Sequence, residues 1–466
     1  MLKRFLLICF VGVNCLVYGQ NKKPNIIFIL ADDLGYADVG AYGQEKILTP
    51  NIDELAKNGK LYTDFYAGAP VCAPSRSALM TGQHTGHTYI RGNKEIVPEG
   101  QEPLAANIET FVQNLKAAGY KTGAFGKWGL GMVGTTGDPL KKGFDVFYGY
   151  NCQRQSHRYY PTHLWDDEKR IELEGNDLAH TNIYAPDLIQ EKTLQFIHNN
   201  PDGPFFMYVP SVLPHAELIV PNDDIFKMYD GKFEEKPFKG NDYGPNAGVG
   251  YTSQAKPHAT YAAMVTRLDR HVGQIVDALK EEGILDNTII LFTSDNGSHR
   301  EGGADPEFFN SSGPFRGNKR DVYEGGVRTP MIIQWPAKVK ADTRSNHIAA
   351  FWDVAPTLLQ LAGAKGMKQT DGISFAPSLL GKGKQKKHEY LYWEFHEGGG
   401  KQGLRMGDYK AIRLKAKGNP DAPIAIYHLP SDIAEKNDIA AQHPELVKKA
   451  KKIMSEGRTE SAVFEW

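Results

Sequence analysis

The chain has 466 residues, 41% hydrophobic and 23% charged. This excludes a disordered or fibrous polymer and allows about three domains, or one large α/β unit with an appendage. Lys and Arg number 54 against 55 Asp and Glu, a net charge of −1. No global basic field exists to draw nucleic acid or anionic lipid, so an anionic ligand must be met by a local cluster of cations.

In chain order, residues 1–19 read as an export signal rather than a retained anchor. Lys3 and Arg4 precede an apolar run, Phe5 to Val17, that is too short to span a bilayer, and Gly19 offers a small residue for cleavage. A lipid-modified Cys9 or Cys15 is disfavoured by the bulky Ile8 and Asn14 before them. The mature chain is then exported, periplasmic or secreted, and no later stretch is apolar enough to cross a membrane. It keeps only Cys72 and Cys152, which could pair in an oxidising compartment. If Cys72 is otherwise engaged, Cys152 is a lone buried thiol.

Asn25 to Leu30 is an unbroken apolar run ending at Ala31-Asp32-Asp33, the pattern of a strand buried on both faces with two acids at its carboxyl end. Residues 50–59 suggest a short helix with Thr49 as N-cap and Gly59 as C-cap. Residues 72–82 read as a turn leading into a helix that starts near Ser75. A helix is expected over 107–118, then a strand over 120–126, a helix over 191–198 and a buried strand over 204–209. Apolar residues recur at helical spacing from Pro257 to Gly283. Thr288 to Phe292 then forms a buried strand running into Ser294-Asp295-Asn296-Gly297. A strand at 331–334 and a helix at 354–361 follow. The stretch 227–255 is polar and Gly-rich, an exposed insertion. After about residue 370 come short segments (389–395, 409–414, 424–427) and a helix from about 444 to 454, which read as a small antiparallel sheet with its own helix. The fold class is therefore α/β, a large mixed, mostly parallel sheet sandwiched by helices, with a small C-terminal α+β subdomain. The boundaries are 1–19 for the signal, 20–370 for the α/β domain and 371–466 for the subdomain.

Ligands in such sheets bind beyond the carboxyl ends of the strands. Asp32, Asp33, Asp295 and Asn296 offer hard oxygen donors at two strand ends. Either pair alone would be read as turn or helix caps, but together they suggest a divalent cation, above all calcium. Cys72, at a helix N-terminus beside Arg76, is expected to have a lowered pKa and to be reactive.

Cys72-Ala73-Pro74-Ser75-Arg76 followed by Thr81-Gly82 resembles the signature of the formylglycine-dependent sulfatases. The opening residues 24–40, Lys127 in Gly126-Lys127-Trp128, residues 294–297 and residues 323–330 match the same family in the same order. The resemblance covers nearly the whole mature chain. It implies an alkaline phosphatase-like fold and a sulfuric ester hydrolase of the bacterial carbohydrate sulfatase type. Carried over by position, it implies that Asp32, Asp33, Asp295 and Asn296 hold calcium, completed by formylglycine (3-oxoalanine) made from Cys72 by a maturation enzyme. Arg76 would steady the hydrated aldehyde, Lys127 and Lys319 would contact sulfate oxygens, and His215 would protonate the leaving oxygen.

One departure stands out. The family pattern Gly-Lys-Trp-His-Leu-Gly has Gly129 where its histidine belongs. His157 is the favoured substitute. His299 and Arg300, three and four residues past Asn296, are the favoured substrate-binding residues of a rim that could also include Arg91, Tyr159, Tyr160, Trp165, His180 and Glu301. A sulfated glycan of galactose or N-acetylgalactosamine type is the expected substrate. The alternatives are a phosphate or phosphonate monoester hydrolase of the same superfamily and a catalytically impaired glycan-binding homologue.

Overall fold

The computed structural model describes residues 22–97, 99–244 and 250–466; the proposed signal, 1–19, lies outside the described residues. The chain builds a ten-stranded sheet from β1 (Asn25–Ala31), β2 (Lys60–Tyr62), β3 (Lys121–Lys127), β4 (Val146–Tyr150), β5 (His163–Asp166), β6 (Lys169–Glu172), β7 (Phe205–Pro210), β8 (Thr288–Ser294), β9 (Met331–Gln334) and β10 (Thr343–Ser345). The spatial order is β10-β2-β9-β8-β1-β7-β3-β4-β5-β6. The five central strands, β8 to β4, are mutually parallel, whereas β9, β5 and β6 run antiparallel to their neighbours.

β1 shows why the sheet is covered twice. Its side chains alternate faces, so Ile27 and Ile29 enter one core and Ile26, Phe28 and Leu30 the other. The first core is closed by α1 (Pro50–Lys57), α4 (Ala185–His198) and α5 (Pro257–Glu281). The second is closed by α2 (Cys72–Thr81), α3 (Phe111–Ala117) and α6 (Val354–Leu361).

Several boundaries differ from the sequence expectation. α1 ends at Lys57 with Asn58 as C-cap. Thr49 is the N-cap residue as expected, but its hydroxyl accepts the Gly40 N–H at 2.8 Å and makes no side-chain cap bond to the helix. Gly59 is required by close approach instead, since a Cβ there would lie 2.4 Å from the Ile333 carbonyl oxygen. α3 starts at Phe111, not 107, because the Gln113 side chain reaches back to the Thr110 N–H at 3.0 Å. α4 starts six residues before Glu191, with Pro186 in its first turn. α2 begins at Cys72 itself, not near Ser75.

The C-terminal part is a four-stranded antiparallel sheet, β11 (Leu391–Phe395), β12 (Lys401–Met406), β13 (Tyr409–Leu414) and β14 (Ile424–His428). α7 (Pro444–Glu456) packs Ala450 and Met454 against Leu404, Ala411 and Ile426. β12 is absent from the sequence expectation because Lys401-Gln402-Gly403 reads as a polar turn. At the seam, the buried Glu324 accepts from Lys410 Nζ (2.8 Å), Tyr66 Oη (2.7 Å) and Arg328 Nη1 (3.1 Å). Arg91, a rim candidate, is instead a buried clasp to Glu394 Oε1 (3.2 Å) and the Thr459 carbonyl (2.7 Å). The insertion is largely exposed as expected, though Tyr243 and Tyr251 reach back to Glu217 and Glu301. Cys72 and Cys152 are both free and buried, so they are not paired. Among the described residues, no helix is long and apolar enough to cross a membrane.

Candidate active site

β1 and β8 are neighbours in register, Ala31 opposite Ser294. The residues after each strand therefore meet at one point. Asp33 adopts a left-handed backbone, φ 63°, which turns the chain sharply and lets its N–H donate to Asp295 Oδ1 at 3.1 Å. Asn296 Nδ2 donates to Asp33 Oδ1 at 2.6 Å. The loop after Asn296 is pinned by a close approach, Gly297 N–H donating to the Gly326 carbonyl at 3.0 Å.

α2 delivers Cys72 into this cluster at its first residue. Sγ lies 3.3 Å from Asp32 Oδ1 and 3.8 Å from Asp33 Oδ1. One turn further along the same face, Arg76 pairs with Asp295 Oδ2 through Nη2 (2.8 Å) and Nε (3.1 Å) and lies 3.4 Å from Asp32 Oδ1. Its Nη1 donates to the Lys127 carbonyl. Lys127, ending β3, donates to Asp32 Oδ2 at 2.7 Å. Lys319 donates to Asp33 Oδ2 (2.7 Å), His215 Nε2 (3.0 Å) and Glu301 Oε2 (3.0 Å).

The charges are strongly perturbed. Burial alone would raise Asp32, yet Lys127, His215 and Arg76 hold it well below the usual carboxylate range. Asp295 goes the other way: burial and Asp32 push it up to about 7, against the pull of Arg76. Burial, then Asp295 and Asp32, push the Cys72 thiol well up. This corrects the expectation of a lowered thiol pKa, because burial, and after it the carboxylates around Sγ, outweigh the helix terminus and the nearby cations. Burial and Lys319 take His215 down to about 4.

Oxygen or sulfur atoms of Asp32, Asp33, Cys72 and Asp295 all lie within 4.8 Å of one another. Asn296 Oδ1 is buried without a hydrogen-bond partner among the described residues. A carboxylate pushed towards neutrality and an orphaned amide oxygen both mark a cluster short of positive charge. Such a donor set fits a hard divalent cation.

Three imidazoles stack beside it. His157 stacks on His215 with ring centroids 5.1 Å apart and planes within 7°, and His299 stacks on the same ring at 5.7 Å and 18°. His215 Nδ1 contacts the Ala216 carbonyl, which orients Nε2 towards Lys319. Tyr159 is buried and donates to the His215 carbonyl at 2.8 Å. His299 donates through Nε2 to the Pro214 carbonyl (3.1 Å) and accepts the Glu301 N–H at Nδ1 (3.1 Å), and Arg300 pairs with Glu307. His299 is thus buried and engaged by protein partners, whereas Arg300 stays exposed while it pairs with Glu307. His180 is exposed and pairs with Asp177, and Trp165 donates to Glu99. Glu301, among the weaker rim candidates, is drawn into the Lys319–His215 group. Sequence reasoning missed Asn151 and Gln153 beyond β4, because that strand was itself not anticipated.

A parallel sheet with buried acids, cations and a helix-borne Cys72 at its strand ends defines an enzyme for an anionic ester. Residues 24–364 match the family described as "Sulfatase", and residues 315–460 match "N-sulphoglucosamine sulphohydrolase, C-terminal". N-acetylgalactosamine-6-sulfatase of Homo sapiens is 31% identical over 384 residues, 78% of this chain and 67% of the relative. Arylsulfatase A of Homo sapiens is 32% identical over 419 residues, 84% of this chain and 75% of the relative. The crystal structure of Ps i-CgsB superposes with a TM-score of 0.77 at 30% identity, covering 94% of this chain and 93% of that one. The chain belongs to the sulfatase family, with the alkaline phosphatase-like fold, and is a sulfuric ester hydrolase.

Proposed function

We propose that this is an exported carbohydrate sulfatase in which Cys72, matured to formylglycine, provides the nucleophile and calcium sits among Asp32, Asp33, Asp295 and Asn296. The observation that carries the reading is the buried oxygen cluster against Cys72, with its orphaned Asn296 Oδ1 and its ring of Arg76, Lys127 and Lys319. When present, the calcium would cancel charge at the ester and the hydrated aldehyde would supply an oxygen nucleophile towards sulfur.

The protein's own groups do the rest. A sulfate ester is anionic and its sulfur shielded, so approach requires cations in a water-poor crevice. Arg76, fixed by Asp295, would hold the nucleophilic position, and Lys127 and Lys319 would donate to sulfate oxygens. His215, oriented through Nδ1 and neutral beside Lys319, would take up a proton at Nε2 once the sulfate's negative charge lies against it, and would pass that proton to the leaving sugar oxygen. His157, stacked on His215, would take the part of the second histidine that Gly129 leaves open. Residues 20–370 form the catalytic domain in this reading and 371–466 the subdomain that closes it.

The galactose or N-acetylgalactosamine type of sugar is supported by the relative named N-acetylgalactosamine-6-sulfatase and by a 30%-identical structure described in complex with k-i-k-neocarrahexaose. The reading also implies export through residues 1–19 and a formylglycine-generating maturation enzyme. The test is sulfate release, with calcium, from a panel of galactose and N-acetylgalactosamine sulfates. Release is expected from at least one, with none from Cys72→Ala, and peptide mass analysis should show formylglycine at position 72. Faster cleavage of aryl phosphate than aryl sulfate, or full activity with an ordinary thiol, would overturn it.

A further inference from the structure

The loop after β4 carries polar groups that the proposed chemistry leaves unused. Tyr150 lies beside Lys127 in the parallel pair of β3 and β4. The pairing then continues past both strands, with Trp128 N–H donating to the Tyr150 carbonyl (2.9 Å) and Gly129 N–H to the Asn151 carbonyl (3.0 Å). Asn151 and Gln153 therefore stand at the carboxyl ends of the parallel strands, on the same edge as Asp32 and Lys127. Four residues beyond Gln153, the chain reaches His157 over His215. The segment thus crosses from the Lys127 side of the site to the His215 side.

Asn151 is fully buried and Gln153 is 3% exposed. Both polar atoms of each carboxamide lack a hydrogen-bond partner among the described residues. The Gln153 backbone is held, its N–H donating to Gln101 Oε1 (3.2 Å) and its carbonyl accepting from Ser156 Oγ (2.7 Å). Only the side-chain amides are left over. Two such residues in one short loop at a ligand-binding edge are costly unless something else takes their bonds.

Gly129 makes room for one of them. A Cβ on Gly129 would lie 2.1 Å from Gln153 Nε2, and the residue holds φ +76°. The Gln153 amide rests in the space that a side chain at 129 would fill.

We propose that Asn151 and Gln153 form an uncharged subsite that hydrogen-bonds the hydroxyl groups of the sugar next to its sulfate ester. The inference rests on the reading of the chain as a carbohydrate sulfatase. The anion is already served by Arg76, Lys127 and Lys319. A sugar hydroxyl both donates and accepts, and a carboxamide answers both needs, whereas an ammonium can only donate and a carboxylate would repel the nearby sulfate.

The test compares kcat/KM for the panel sugar sulfate that the wild type cleaves best with kcat/KM for 4-nitrophenyl sulfate, which has no sugar hydroxyls. In Gln153→Met and in Asn151→Leu the sugar-to-aryl ratio should fall at least tenfold. Gly129→Ala should lower it similarly, and Gly129→Ala combined with Gln153→Met should lose no more than the larger single loss. Thermal melting identifies the variants that fold, and Gln153→Asn, which pulls the amide back by one methylene, replaces any that does not. An unchanged ratio, or losses at 129 and 153 that multiply, would overturn the subsite. A wild type that releases sulfate from no sugar in the panel would instead overturn the underlying reading.

Discussion

Two of the buried ionic clusters among the described residues differ in how their carboxylates are met. At the seam between the large sheet and the C-terminal sheet, Glu324 is surrounded by Lys410, Arg328, Arg405 and Tyr66, and both its oxygens are taken. Burial opposes its charge, but Lys410, Arg328 and Arg405 hold it down at about 2. At the strand ends, Asp295 is pushed up to about 7 and Asn296 Oδ1 has no partner among the described residues. A buried cluster that closes on itself ties parts of a fold together. At the strand ends Asp32, Asp33, Asp295 and Asn296 converge as an oxygen donor set of the kind that fits a divalent cation, which the seam around Glu324 does not offer.

That contrast can be broken. Glu324→Ala leaves Lys410 buried and uncompensated, so thermal and urea unfolding should report a loss of about 3–5 kcal/mol. A loss below about 1 kcal/mol would remove the structural role of the seam. Lys127→Ala should lower kcat/KM by about 10²–10³-fold, the usual effect of removing one donor at a developing charge. Its unfolding midpoint should move less than that of Glu324→Ala, and an equal shift would erase the difference between the clusters. Chelation should lower the melting temperature and calcium restore it, by about 2.7 kcal/mol at a hundred times the Kd. Indifference to chelation would count against a cation at the strand ends. The smallest effect is with acid. The Glu324 carboxyl is depressed from 4.5 to about 2 in the folded chain. Its stabilisation is thus present above pH 4.5 and lost as pH falls through about 2. Acid unfolding of Glu324→Gln should be correspondingly less steep across that window.

Much of the strand-end cluster could be read from sequence because each half sits directly after a fully buried strand. The apolar runs at 25–31 and 288–292 announce those strands unaided. Glu324 could not be assigned its role that way. Its partners Lys410 and Arg405 lie on β13 and β12, and β12 begins as Lys-Gln-Gly, with no apolar alternation to announce it. The thiol expectation failed for a related reason: the helix terminus and Arg76 are visible locally, whereas the carboxylates facing Sγ come from residues 32, 33 and 295. Arg91 and Tyr159 looked like rim residues because a loop position says nothing about which partner folds over it. Asn151 and Gln153 were overlooked because Val146–Tyr150, broken by Gly149, does not look like a strand.

The placement of β11 has a consequence in time. Trp393 donates to the Ala67 carbonyl (2.9 Å) and Glu394 N–H to Thr85 Oγ1 (2.7 Å), so one strand fastens the chain on both sides of α2. Those contacts span 326 and 309 residues. Both ends of α2 are therefore clamped by residues that the ribosome adds only after more than 300 others, so position 72 is enclosed late in the making of the chain.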